Sequence, residues 1–431
     1  MMRLPSRALF ALLAAAVLGA CTDENPVDIG NVVVPGGQAT TFEVILEPDQ
    51  WLDFDTAFSG YNTPWTSGLL VLAKQYGGVT DVNMLTRFAT PPSSITVDSS
   101  GTSKVDTLPR YFNGYIAVKL DTLRSRGTGT IAAYRTTEPF DLPTANWTNR
   151  IDSTGVRRAW QQPGGSRGAL LGRASWPTGA DSVLIPLDSA TIASLSAVGD
   201  STRGVLFVLE DPSGSDGALV RIADTFMRLE AHSKIQPDTV VKVLVEDLGS
   251  TILYQPTVPQ TTAQPQVSGT PAWRTIFQVN PLLERLEIAC PGANCSVPLK
   301  DARINKAELL LEPAPSPTGF LVEDSIGVEA RTLVAAAGSP LARAPVGAPI
   351  GRSVGKVARS RFEPNAAAGA PTPVVLTDFI NAFVTDTSST KPRHFALLAT
   401  STTQSGSFGI AAFRERPRIR LILTITPEQR R

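Results

Sequence analysis

Past residue 40 the apolar residues come in short, β-branched runs. Examples are Thr41–Leu46, Gly68–Ala73, Gly114–Leu120, Thr130–Arg135, Asp181–Leu187, Gly204–Leu209, Arg274–Val279, Ala307–Glu312, His394–Thr400 and Arg418–Thr426. Clusters of Gly, Pro, Asp and Ser bound them. This spacing predicts the strands of an all-β sandwich or barrel. No amphipathic pattern persists for the roughly ten to twelve residues that a helix of ordinary length shows.

The run order repeats. Gly168-Ala169-Leu170-Leu171-Gly172-Arg173 matches Gly347-Ala348-Pro349-Ile350-Gly351-Arg352. Asp181–Leu187 corresponds to Thr372–Thr377, and each is followed by a short helix candidate, Ser189–Leu195 and Asp378–Val384. Arg203–Leu209 then pairs with Arg393–Ala399. Hairpins through Pro212–Gly217 and Thr402–Gly406 close each copy, and Thr225–Ala231 and Arg418–Thr424 end them. The offset of about 180–190 residues divides the chain into modules 41–235 and 236–431. The irregular stretch Thr257–Pro271 reads as a loop inside the second copy, or else as the linker between copies.

The start of the chain has a different pattern. Arg3 and Arg7 flank a basic start, and Ala8–Leu18 is an uncharged apolar run. That run is shorter than the ~20 residues needed to span a bilayer, and it fits a secretory leader. Its end, Leu18-Gly19-Ala20-Cys21, resembles the lipobox of bacterial lipoproteins. The resemblance implies a signal peptide over 1–20, cleavage before Cys21 and acylation of that cysteine, with palmitate among its chains. Thr22, where enteric-type lipoproteins carry Asp for inner-membrane retention, then implies the outer membrane of the cell envelope. Residues 21–40, rich in Pro and Gly, read as a flexible tether.

Three elements in the modules resemble the DNRLRE-type β-sandwich modules of bacterial surface proteins. These are the strand Arg274-Thr275-Ile276-Phe277, the strand Ile304–Leu311 with its I-x-x-A-x-L-x-L pattern, and the strand–helix–strand block Val374–Leu376, Asp378–Val384, Phe395–Ala399. Leu85–Phe88 and Tyr115–Leu120 are weaker versions in the first copy. The namesake hexapeptide is absent. The resemblance implies two tandem jelly-roll-like β-sandwich domains, each with a short helix before a late strand, and a role in adhesion or carbohydrate binding.

Composition narrows the chemistry. The 39 basic and 39 acidic residues cancel, so no surplus charge favours nucleic acid. The chain has only two His and three Cys. Cys290 and Cys295 bracket a Pro-Gly turn, and in an exported protein they most simply form a disulfide. His232 and His394 read as edge residues, which leaves a Ser-His-Asp arrangement without its base. Asp53 and Asp55 are the nearest carboxylate pair, and Asp211–Gly217 reads as a turn and not a cation loop. No cofactor or metal is expected. Trp147, Trp160 and Trp176 are the candidate ligand-binding residues, since flat aromatic faces stack on sugars; the alternative is that they fill the core. The expectation is a non-catalytic, lipid-anchored envelope protein whose partners are the membrane and a polysaccharide or another envelope protein. The alternatives are a subunit docking on an outer-membrane machine and, third, a glycoside hydrolase.

Overall fold

The computed structural model describes residues 39–99, 101–195, 204–291, 296–334, 340–351, 356–386, 388, 391–400 and 408–426. The fold is all-β, built of antiparallel sheets. Its helices are short: α1 (Pro48–Trp51), α2 (Pro64–Ser67), α3 (Ser189–Leu195) and α4 (Thr377–Thr385). The last two fall where the sequence placed them.

The principal strands are β1 (Thr40–Leu46), β2 (Leu52–Phe58), β3 (Leu70–Tyr76), β4 (Thr80–Phe88), β5 (Arg110–Arg126), β6 (Gly129–Thr136), β7 (Arg167–Trp176), β8 (Ser182–Asp188), β9 (Val205–Glu210), β10 (Ala218–His232) and β11 (Val240–Gln255). They continue with β12 (Arg274–Val279), β13 (Arg303–Leu311), β14 (Ile326–Leu333), β15 (Val346–Pro349), β16 (Thr372–Val375), β17 (His394–Ala399) and β18 (Arg418–Ile425). In the first half the order is β7-β6-β9-β4-β11-β10-β5-β8, with β3 beside β10 and β4. In the second, β15-β14-β17-β12-β2 forms one sheet and β1-β18-β13-β16 the other. The two orders match strand for strand, with β11 standing where β2 and β1 stand. The front part of β11 pairs with β10 and its rear part with β4. Likewise β1 pairs with β18 and β2 with β12.

The strand pairing therefore cuts across the expected boundary between 41–235 and 236–431. The segment Thr40–Phe58, which opens the first sequence copy, completes the second half. Val240–Gln255, which opens the second copy, completes the first. The leading segments are exchanged. Leu46 and Trp51 are buried in the second half's core, and Trp51 donates its indole N–H to the Pro417 carbonyl at 3.1 Å. A second expectation also changes. Pro212–Gly217 is not a hairpin, because β9 lies between β6 and β4 while β10 lies between β11 and β5. The loop crosses between the two packed parts of the sheet. Thr402–Gly406 lies outside the described residues.

Alternation places the core. Val205, Phe207 and Leu209 of β9 enter the first core; Phe395, Leu397 and Ala399 of β17 enter the second. The intervening Leu206 and Val208, and Ala396 and Leu398, face outward into smaller clusters of their own. In both halves a loop covers that outer face. Asn83 and Arg87 of β4 clamp the first cover by donating to the carbonyls of Gly164 (2.7 Å) and Phe140 (2.8 Å). Arg274 of β12 clamps the second through the carbonyls of Leu341, Ala342 and Ala344. The repeated glycines explain themselves here. A Cβ on Gly172 would sit 2.6 Å from the Pro186 oxygen of β8, and one on Gly351 would sit 3.0 Å from the Val375 side chain of β16. Each glycine lets its half close around.

The halves also pack on each other. Phe320, Phe408 and Trp273 join the first half's core, and Tyr254 meets Phe320 and Phe408 edge-on at 6.2 and 6.0 Å. Arg221 reaches across to Glu323 at 3.3 Å with both side chains buried.

Candidate functional site

A cleft of about 420 Å³ lies where the exchanged segments leave their sheets. Three stretches build it. Residues 59–64 follow β2 as the chain leaves the second half. Residues 143–148, with Asp152, belong to the cover of the first half. Ile252, Tyr254 and residues 257–260 carry the chain back out, with Pro271 beyond them.

The first wall is held by α2. Thr63 caps the helix, accepting the Thr66 N–H, with Pro64 at the first helical position. Asn62 braces the same turn by accepting from the Thr63 N–H at 3.1 Å. The second wall is held by Asn146. Its side-chain oxygen accepts the N–H groups of Thr148 and Asn149, its amide donates to Asp152 at 3.0 Å, and its carbonyl accepts the Trp160 indole N–H at 2.9 Å. Asp152 is engaged in turn by Arg157 at 2.9 Å. This network fixes Trp147, which is half-buried and lines the cleft. Its six-membered ring lies against Gly164, where a Cβ would fall within 2.7–2.9 Å of three ring carbons. Tyr254 forms the floor, and burial pushes its phenol above the ordinary range.

The expected tryptophans separate. Trp147 lines the cleft. Trp160 lies beneath it, 5 % exposed, packing with Phe140 and supporting the loop. Trp176, 2 % exposed, ends β7 in the core of the first half. Neither Trp160 nor Trp176 lines this cleft; Trp176 borders a separate hollow with Arg126 and Thr128. Both read as loop residues in the sequence, but a cover strapped onto a sheet buries its aromatics as a strand does. Asn62, Thr63, Asn146, Tyr254 and Gln260 were not singled out from the sequence. Their one signal is that Pro64, Pro143, Pro256, Pro259 and Pro271 punctuate the Thr-, Asn- and Gln-bearing loops that form the cleft.

The other candidates lie elsewhere. His232 stacks on Phe112 at 4.3 Å, and His394 sits 3.1 Å from the Gln278 side-chain oxygen, its pKa lowered by burial and by Arg393. Burial raises the Asp55 pKa; Asp53 is exposed on the same strand. Cys290 is buried beside Val297, Ala302 and Ile425. Cys295, Cys21, Thr22 and the leader lie outside the described residues. Among the described residues no cluster of three or more His, Cys, Asp or Glu is placed to hold a metal ion, and no helix is long and apolar enough to cross a membrane. No family model matches the chain, and no curated protein matches it.

Proposed function

We propose that the chain is a lipid-anchored protein of the cell envelope that binds a glycan, without catalysis, in the cleft between its halves. The observation that carries this reading is the cleft lining. One fixed indole, Trp147, stands among amides and hydroxyls from Asn62, Thr63, Thr144, Thr148 and Gln260. An aromatic surface for C–H faces and neutral donors and acceptors for hydroxyls is the chemistry a sugar asks for. Titration with polysaccharides, read by tryptophan fluorescence, tests it. A saturable change in the wild type that Trp147→Ala abolishes is expected; an unchanged response in the variant overturns the assignment.

The anchor rests on the lipobox-like Leu18–Cys21. Palmitate should label the wild type and not Cys21→Ala; equal labelling removes the anchor. The Cys290–Cys295 disulfide belongs to the same proposal. It is supported by the pairing of Glu287–Ala289 with Ser296–Pro298, whose last partners, Ala289 and Ser296, directly flank the two cysteines. The reading as a docking subunit draws on Leu184, Leu244 and Leu248, all more than half exposed on β8 and β11. Protease treatment of intact cells separates surface display, which predicts digestion, from a periplasmic subunit, which predicts protection.

A further inference from the structure

The charge inventory of the cleft goes further than its shape. Asp152 is the single carboxylate among the residues that line it, and no Lys, Arg or His does. That carboxylate is already committed to Arg157 at 2.9 Å and to the amide of Asn146 at 3.0 Å. Arg157 itself is three-quarters exposed and stands outside the lining. A ligand carboxylate or sulfate entering the cleft would lose water and meet no lining cation, while the one lining carboxylate already holds Arg157.

Resting on the glycan reading, we propose that this cleft selects an uncharged oligosaccharide segment and discriminates against uronic-acid and sulfated polymers. The volume, near the lower end of the roughly 300–1,000 Å³ range of small-molecule sites, suits a short stretch of sugar rings and not a branched cluster. The walls come from the chain leaving β2 and from the cover of the first half, so an occupant that touches Asn62 on one side and Trp147 on the other bridges these two stretches.

The test is calorimetric titration of the full chain with neutral glucan, mannan and galactan oligosaccharides, and with oligogalacturonate and a sulfated galactan. Each is repeated in Trp147→Phe, which keeps an aromatic side chain but not the far ring carbons that lie against Gly164, and in Asp152→Asn, which keeps an oxygen for Asn146. Circular dichroism confirms that both variants fold. At least one neutral series should bind, weakened in Trp147→Phe. Acidic ligands should bind at least about tenfold more weakly, and Asp152→Asn should narrow that gap. Acidic ligands that bind as well as neutral ones overturn the selectivity and leave the glycan reading standing. Failure of every sugar of both classes overturns the glycan reading and the selectivity with it.

Discussion

Gly164 and Trp147 depend on each other at the distance of a single methyl group. Gly164 has φ +83°, and a Cβ there would enter the indole of Trp147. Gly164→Ala combines backbone strain with a steric conflict and should cost about 1–3 kcal/mol. Denaturant unfolding would measure the cost. The emission of Trp147 should also shift as its ring leaves the cleft wall. Trp147→Ala removes a half-buried ring and should cost about 2 kcal/mol, less than a fully buried Trp. Of the three tryptophans picked out by the sequence, one lines the cleft. The choice among them was not legible, because no hydrophobic period runs through Trp147–Trp160. Burial there comes from the clamp that Asn83 and Arg87 place on the cover, two residues on a strand far off in the chain.

At the scale of elements, most strands and both repeat helices were legible, since their signals are local: alternation, turn residues and a short apolar helix face; Leu52–Phe58 and Ile326–Leu333 were not singled out. Which half each leading segment joins was not legible. Thr40–Phe58 alternates in the same way whether it pairs with β18 and β12 or with β10 and β4, and only the connection through residues 59–69 decides. Deleting Thr40–Phe58 leaves β18 and β12 each short of a neighbour. Hydrogen exchange should then accelerate across Arg418–Ile425 and Arg274–Val279 while β5 and β10 keep their protection. A peptide of residues 40–58 added in trans should restore it. Uniform protection in the deletion variant would contradict the exchange. The proposed Cys290–Cys295 disulfide should contribute below about 2 kcal/mol, because closing so few residues removes little chain entropy. Unfolding with and without reductant measures this.

For the whole molecule, the seam between halves carries a pH dependence. Burial, partly opposed by Arg221, pushes the Glu323 carboxyl from 4.5 up to about 7. Its oxygen accepts from Arg221 and from the Phe408 N–H, so the group sits on the seam itself. Between about pH 4.5 and 7 the folded chain holds a proton that the unfolded chain has released. Stability from this group is therefore greatest at the acid end and falls as pH rises through the window, by an amount on the order of 3 kcal/mol over the full span. Glu323→Gln should flatten that part of the profile, which thermal melts of both proteins between pH 5 and 8 would reveal as a smaller difference in Tm for the variant.

The exchanged segment Thr40–Phe58 also sets a timetable. Thr41 meets Thr424 across the β1–β18 pair, 383 residues later in the chain. Residues 40–58 are synthesised long before Arg418–Ile425, so β1 must wait for the intervening chain before it finds its neighbour. Until then a strand-forming stretch ending in Leu46 and Trp51 stays unpaired, the condition in which nascent chains stick to one another. A holding chaperone that shields residues 40–58 would spare the cell that hazard, and truncation before Arg418 would leave β1 and β13 without the strand they share.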